Sequence, residues 1–340
     1  MRGARARRHP VRRGVLALST RPTVLVLRAL GLGDFLTGVP ALRALSAGHP
    51  GHELVLAAPG ALAPLVELTG AVDRLLPASG IEPLRWAGPP PALAVNLHGR
   101  GPQSHRALQA LSPAELVAFG CPAAGHDGPR WDAGEHEVRR WCRLVEESTG
   151  HVTRPEDLRL DPPSPQHVDE ATVVVHPGAA YPSRRWPADR FAEVAAWATA
   201  QGYRVVVTGG ESERALAEDV AVRAGLRPGS VLAGRTDLVE LASIVAAATL
   251  LVCGDTGVAH LASAFGTPSV LLFGPTSPAR WGPPADGPHV VLWHGDGTGD
   301  PWGQHVDPAL LRIQPDQVVA AARRLTSRAA PPRRTTPTSA

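Results

Sequence analysis

Residues able to do chemistry gather at four short stretches, each at the end of an apolar run. The richest is CGDTGVAHLASAFGTPSVLLFGPT, from Cys253 to Thr276. Asp255 is placed to cap a helix, and the N–H groups of Thr256, Gly257 and Val258 have no earlier turn to accept them. The helix dipole adds about half a positive charge there. Gly257 lets a ligand come close where a side chain would block it. His260 lies four residues after Thr256, one turn along the same face. The junction suits an anion, and a diphosphate departing with extra negative charge in particular; the plain alternative is a structural histidine.

The second stretch is HPGAAYPSRRWP (176–187). A strand delivers His176 and Gly178, bare N–H groups can cradle phosphate, and Arg184 or Arg185 can fork onto it. The alternative is an ordinary turn anchored by Trp186-Pro187. In VVVTGGESERAL (205–216), Gly209 and Gly210 end a strand, and Glu211 and Glu213 open a helix. Acids are expected in a first turn, and a carboxylate there could also grip ribose hydroxyls. The fourth stretch is RALGLGDFLTG (28–38), with bare backbone at Gly31 and Gly33 and Asp34 at a helix start. Asp34 reads as a helix cap or as a base at the edge of a cleft. Phe35 and Leu36 follow where a third glycine would be due, so this is no plain dinucleotide fingerprint.

The elements that must position these residues alternate. TVLVLRA (23–29) is a buried strand, and DFLTGVPALRALSAG (34–48) one helix. HELVLAAP, ALAPLVELTG, VDRLLP and LAVNLHG follow as strand, helix, strand and strand. A proline-rich polar stretch, LDPPSPQHVDE (160–170), interrupts the pattern. It restarts with strands TVVVHPG and RVVVTGG, each followed by a helix. A short strand near SVLAG, helix DLVELASIVAAA, strand TLLVCGD, helix TGVAHLASAFG, strand SVLLFGP and helix PDQVVAAARRLTSR complete it. Such alternation predicts α/β architecture: two doubly wound, Rossmann-like domains with parallel sheets. Ligands are then expected in a cleft at the carboxyl ends of the strands. The boundaries read as a disordered basic arm (1–21), an N-terminal Rossmann-like domain (22–160), a linker (161–171), a C-terminal Rossmann-like domain (172–326) and a disordered tail (327–340).

All 34 basic residues among the 340 are arginine, so any cation that binds phosphate here is arginine. Six arginines lie in 1–13 and five in 323–340, while all 31 acids fall between Asp34 and Asp316. The body therefore has 23 arginines against 31 acids and is acidic. The basic ends read as solvated tails, or as contacts with an anionic membrane surface at roughly 1 kcal/mol per arginine. No basic stripe with interleaved aromatics appears, which argues against nucleic acid. Three cysteines without metal spacing fit a reducing cytoplasm and no disulfide or zinc framework. No apolar run approaches a membrane span, and GVLALS is too short for a signal core.

In this order, over roughly residues 22–325, the pieces resemble glycosyltransferase family 9, the heptosyltransferases and their relatives. The resemblance is carried by RALGLGDFLTGVPALRAL, by HPGAAYPSRRWP, by GRTDLVELASIVAAATLLVCGDTGVAHLASAFGTPSVLLFGPTSP, and by RWGP. It implies a GT-B fold and an inverting, metal-independent sugar transfer from a nucleotide sugar, with no cofactor. It implies Asp34 as general base for the acceptor hydroxyl. Arg184, with Arg185 beside it, stands where the family has a phosphate-binding lysine. Asp255, Thr256, Gly257 and His260 would hold the diphosphate. Gly178 and Gly210 belong to the donor loops, with Glu211 or Glu213 on the nucleoside side. Gly33, His98 and Arg100, the last two in NLHGRGPQSHRAL (96–108), stand where acceptor contacts are expected.

The implied partners are a nucleotide-sugar donor, ADP-heptose for example, and a cell-envelope or lipid-linked glycan acceptor, as in lipopolysaccharide-type synthesis. The implied location is the cytoplasm, with peripheral membrane contact through the tails. An aspartate at a helix start is expected to have a low pKa and to be a weak base. A cysteine-rich segment found in many members is replaced by HGDGTGDPWGQHVDPALL (294–311), read as a mobile loop over the cleft or as surface decoration. Two rival readings are a nucleotide-sugar 2-epimerase-like enzyme and a non-catalytic nucleotide-sugar-binding protein.

Overall fold

The computed structural model describes residues 21–163 and 171–327. The expected basic arm up to residue 20, residues 164–170 of the expected linker and the tail beyond Ser327 lie outside the described residues. The chain divides into two compact units between Asp161 and Pro162.

The first unit runs β1 (Thr23–Leu27), α1 (Leu32–Thr37), α2 (Val39–Gly48), β2 (Glu53–Ala58), α3 (Ala63–Thr69), β3 (Arg74–Pro77), β4 (Leu93–Asn96), α4 (Gln103–Gln109), β5 (Glu115–Val117) and α5 (Glu137–Thr149). Its sheet is wholly parallel, in the order β3-β2-β1-β4-β5. β1 is buried at every residue, as a central strand covered on both faces must be.

The single helix expected over 34–48 is two helices broken at Gly38. Pro40 falls in the first turn of α2, where its missing N–H costs nothing. A Cβ on Gly38 would come within 2.9 Å of Arg28 Cδ, so the break also makes room for that side chain. α4, β5 and α5 were not foreseen. α5 is rich in charge, yet buries Val138, Trp141, Cys142 and Val145 at the spacing of one helical face.

The second unit runs β6 (Thr172–His176), α6 (Ala188–Ala200), β7 (Arg204–Val207), α7 (Arg214–Arg223), α8 (Leu238–Ala247), β8 (Leu250–Gly254), α9 (Gly257–Phe265), β9 (Ser269–Phe273), α10 (Pro278–Trp281), β10 (His289–Trp293), α11 (Pro308–Arg312) and α12 (Pro315–Thr326). Its sheet is also parallel, in the order β10-β9-β8-β6-β7. The strand expected near 230–234 reduces to one parallel bridge, Val207 to Val231, because the turn at Gly229 leaves too little extended chain to pair. The 294–311 segment is not all loop: Asp307 caps α11 by accepting from Ala309 N at 2.8 Å. It is also fastened to the 182–184 turn, where Ser183 N donates to Gly303 O at 3.1 Å.

Candidate functional site

In the second sheet the chain leaves β6 for β7 on one side and β8 for β9 on the other, which makes the β6–β8 edge the switch point where α/β sheets bind ligands. His176 lies opposite Cys253 in the pairing, so the loops beginning at Pro177 and Asp255 emerge side by side. Two stretches far apart in sequence are thereby joined. Arg184 closes a short 3₁₀ turn, Pro182–Arg184, and its Nη1 lies 3.8 Å from Asp255 Oδ2. Its Nε is buried with no hydrogen-bond partner. Gly254 has to be bare, since a Cβ there would come 2.9 Å from the Arg184 carbonyl. Arg185 acts as a loop brace, its Nε donating to Ala179 O at 2.8 Å.

The N-cap of α9 is Thr256, in extended backbone, and not Asp255 as expected. Asp255 sits one residue earlier, its Oδ2 facing the Arg184 guanidinium. Gly257 is the first helical residue. His260 is buried one turn on, its ring edge-on to Trp281 at 5.9 Å.

The structure separates the two glutamates. Glu213 Oε2 accepts from Gly210 N at 2.8 Å. A Cβ on Gly178 would fall 2.1 Å from Glu213 Oε1, so glycine at 178 is what lets this carboxylate lie over the β6 loop. Glu211 is exposed and paired with Arg214, at 3.0 and 2.5 Å. Beneath Glu213, His176 Nδ1 meets Thr208 Oγ1 at 3.0 Å, and burial holds this imidazole below its ordinary pKa.

The first sheet has its own switch point, between β1 and β4, where Leu27 pairs with Asn96. The turn carrying Asp34 and the loop carrying His98 and Arg100 start there. Asp34 was expected to cap a helix and to have a low pKa. Gly31 is the N-cap instead, and Asp34 and Gly33 lie inside the first turn of α1. Burial pushes the Asp34 carboxyl above its usual range; Arg28 opposes this and Glu137 adds to it. Desolvation wins because the capping position belongs to another residue and α1 is only six residues long.

His98 is held through its backbone, its N donating to Asn96 Oδ1 at 3.0 Å. Asn96 Nδ2 in turn donates to Ser104 Oγ at 3.0 Å. His98 Nδ1 is buried with no hydrogen-bond partner. Burial first, and the Arg28 charge second, lower its pKa to about 4, so the ring is neutral at neutral pH. Arg100, further along the loop, is exposed.

Two residues that sequence reasoning missed stand behind this edge. Arg28 is completely buried, and Glu137 nearly so. An arginine closing an apolar strand was the available signal for Arg28. Glu137 gave none, since its partners lie far off in sequence. Among the described residues no cluster of three or more His, Cys, Asp or Glu side chains is placed to hold a metal. No described helix is long and apolar enough to cross a membrane. All three cysteines are buried and unlinked.

The model of glycosyltransferase family 9 (heptosyltransferase) matches residues 128–296. No curated protein matches the sequence. Among solved structures, E. coli ADP-heptose lps heptosyltransferase II superposes with a TM-score of 0.74 at 20% identity, over 90% of this chain and 99% of that one. The glycosyltransferase family 9 protein of Veillonella parvula gives 0.76 at 19% identity, over 93% and 100%. An E. coli heptosyltransferase solved with ADP gives 0.69 at 19%, over 89% and 99%. At these identities the superpositions establish the shared fold. The family match adds the whole span from β6 to β10 with both loops of the second switch point, and places this chain among the glycosyltransferases of family 9, on the GT-B fold.

Proposed function

We propose that the chain is an inverting, metal-independent glycosyltransferase that moves a sugar from a nucleotide sugar to a glycan or lipid-linked acceptor of the cell envelope. ADP-heptose is the donor to test first. The observation that carries this reading is Arg184, with a buried, unpartnered Nε, 3.8 Å from Asp255 at the N-terminus of α9. A guanidinium, a set of helix N–H groups and an imidazole at one sheet edge meet the charge of a departing diphosphate without a metal. The acceptor oxygen bonds to the anomeric carbon as the bond from that carbon to the phosphate oxygen breaks. The hydroxyl proton passes to Asp34, and the nucleoside diphosphate leaves. A carboxyl held above its usual pKa is a stronger base than an ordinary aspartate, which suits this step.

Solved relatives guide the choice of donor: E. coli heptosyltransferases with ADP and with ADP-2-deoxy-2-fluoro heptose, and TibC with ADP-D-beta-D-heptose. The arginine-rich ends of the sequence offer contact with an anionic membrane carrying the acceptor.

A thermal-shift panel with ADP, UDP, GDP and CDP sugars tests the donor. A ligand at 100 times its Kd adds about 2.7 kcal/mol to stability, readily seen as a raised Tm. A shift with ADP-heptose that disappears in Arg184→Ala and His260→Ala is the expected result. A shift with another nucleotide sugar alone moves the donor, and a metal requirement for turnover removes the mechanism. The same assay separates the glutamates. Glu213→Ala is expected to weaken ADP binding about tenfold, as loss of a charged hydrogen-bonding group does. Glu211→Ala, which removes only an exposed ion pair, leaves it unchanged.

A further inference from the structure

We propose that Arg28 is the positioning residue of the first switch point, its one buried guanidinium pinning the turn that carries Asp34 and the loop that carries His98 to a common point. Nε donates to the Asp34 carbonyl and Nη1 to the Leu97 carbonyl, one residue before His98. Nη2 donates to Thr37 Oγ1 at 2.8 Å, and that hydroxyl donates to the Asp34 carbonyl, also at 2.8 Å. The same nitrogen lies 3.5 Å from Glu137 Oε1. The guanidinium is over the Trp141 ring, 4.8 Å from its centroid, and Trp141 Nε1 donates to Glu137 Oε1 at 2.8 Å. Arg140 grips the other oxygen of Glu137 and lies 4.3 Å over Trp131. α5 thus fixes where the Arg28 charge sits, and that charge fixes two loops.

A buried ion pair is a weak source of stability, because desolvation costs several kcal/mol per ion. An apolar side chain would fill the end of β1 without that cost. What only a guanidinium does here is hold backbone carbonyls from two separate loops with one rigid fork. It also sets the local field. Arg28 favours the ionised form of Asp34 against burial, and it disfavours protonation of His98. Glu137 acts on Asp34 in the opposite sense, and Arg140 faces Arg28 from behind. The same sheet edge thus carries the Asp34 carboxyl, raised by burial, and the neutral imidazole of His98 with its buried, unpartnered Nδ1. That pair suits a hydroxyl acceptor rather than an anionic one.

The proposal rests on the reading of Asp34 as the base, and its test keeps the two apart. Arg28→Lys retains the charge but not the fork. Its kcat is expected to fall roughly 10²-fold, the cost of a displaced reacting group, while the ADP-induced Tm shift of the second unit is retained. Glu137→Gln is expected to move the acid limb of the kcat/KM profile to lower pH, and Arg28→Gln to higher pH. The ¹³C titration of the Asp34 carboxyl, followed without turnover, should move in the same two directions. A merely structural role predicts lower Tm values with no shift, or with shifts of one sign, and that result overturns the proposal. If Arg28→Gln does not fold, Glu137→Gln decides the sign alone, an upward or absent shift being fatal. An Asp34→Asn variant with full turnover removes the base reading. The titration, and the amide shifts of residues 34 and 98 in Arg28→Lys, still decide the positioning.

Discussion

Asp34→Asn is expected to lower kcat by about 10²–10⁴-fold, the range for loss of a positioned general base, while ADP binding by the second unit is unchanged. The same variant should melt at a higher temperature than the parent at neutral pH. The folded-state pKa of Asp34 is raised, so the folded chain holds this proton more tightly than the unfolded chain does. The stability this contributes is present at low pH and is lost as pH rises through the folded value. A neutral asparagine of the same shape removes that loss. Activity has the opposite dependence, because the base must be ionised. The acid limb of kcat/KM should therefore lie above the range of an ordinary carboxylate. A variant both slower and more stable would identify a residue kept for chemistry. One merely less stable would return Asp34 to a structural role.

Trp186→Ala is expected to destabilise the second unit by about 3–5 kcal/mol, as truncation of a fully buried tryptophan does. The ring is 1% exposed, packs edge-on against Phe191 at 5.0 Å and donates from Nε1 to Ile313 O at 3.1 Å. It ties the stretch just after Arg184 and Arg185 to the chain entering α12, so the loop carrying Arg184 hangs from the core by this side chain. Chemical denaturation should show the loss. Trp186→Phe is expected to recover most of the packing and to lose one hydrogen bond, about 0.5–1.5 kcal/mol, because the Ile313 carbonyl still accepts from Arg190 Nη1 at 2.7 Å. Equal stability of Trp186→Ala and the parent would mean that the loop is anchored elsewhere.

The two variants probe sites that the sequence revealed to different degrees. Strands such as Thr172–His176 and Leu250–Gly254 have apolar centres and run into glycine-containing loops, and their chemistry-bearing residues follow directly. That is why Asp255, Thr256 and His260 could be named from spacing, with Arg184 or Arg185 as alternatives. What spacing could not supply was partnership. Nothing in ESER tells that Glu213 turns inward over Gly178 while Glu211 faces Arg214; the room left by a glycine far earlier in the chain decides it.

The first unit was harder for a related reason. β5 is three residues long, and α5 hides its buried face among arginines and glutamates. Glu137 reaches Arg28 only because the sheet brings positions 109 residues apart together. The low pKa expected for Asp34 failed because it assumed a cap, and the fold gave that position to Gly31.

The burial of Cys121, Cys142 and Cys253 bears on how this enzyme can be watched at work. Burial also pushes the Cys142 thiol up to about 11, and the Cys253 thiol higher still, so neither is a ready nucleophile. With no lysine in the sequence, amine- and thiol-directed dyes find almost no native side chain to attack. Val152, 79% exposed in the first unit, and Val222, 80% exposed in the second, are ready-made attachment points. Val152→Cys with Val222→Cys would carry one fluorophore on each unit against a dark background, and energy transfer between them would follow any rearrangement as donor and acceptor bind.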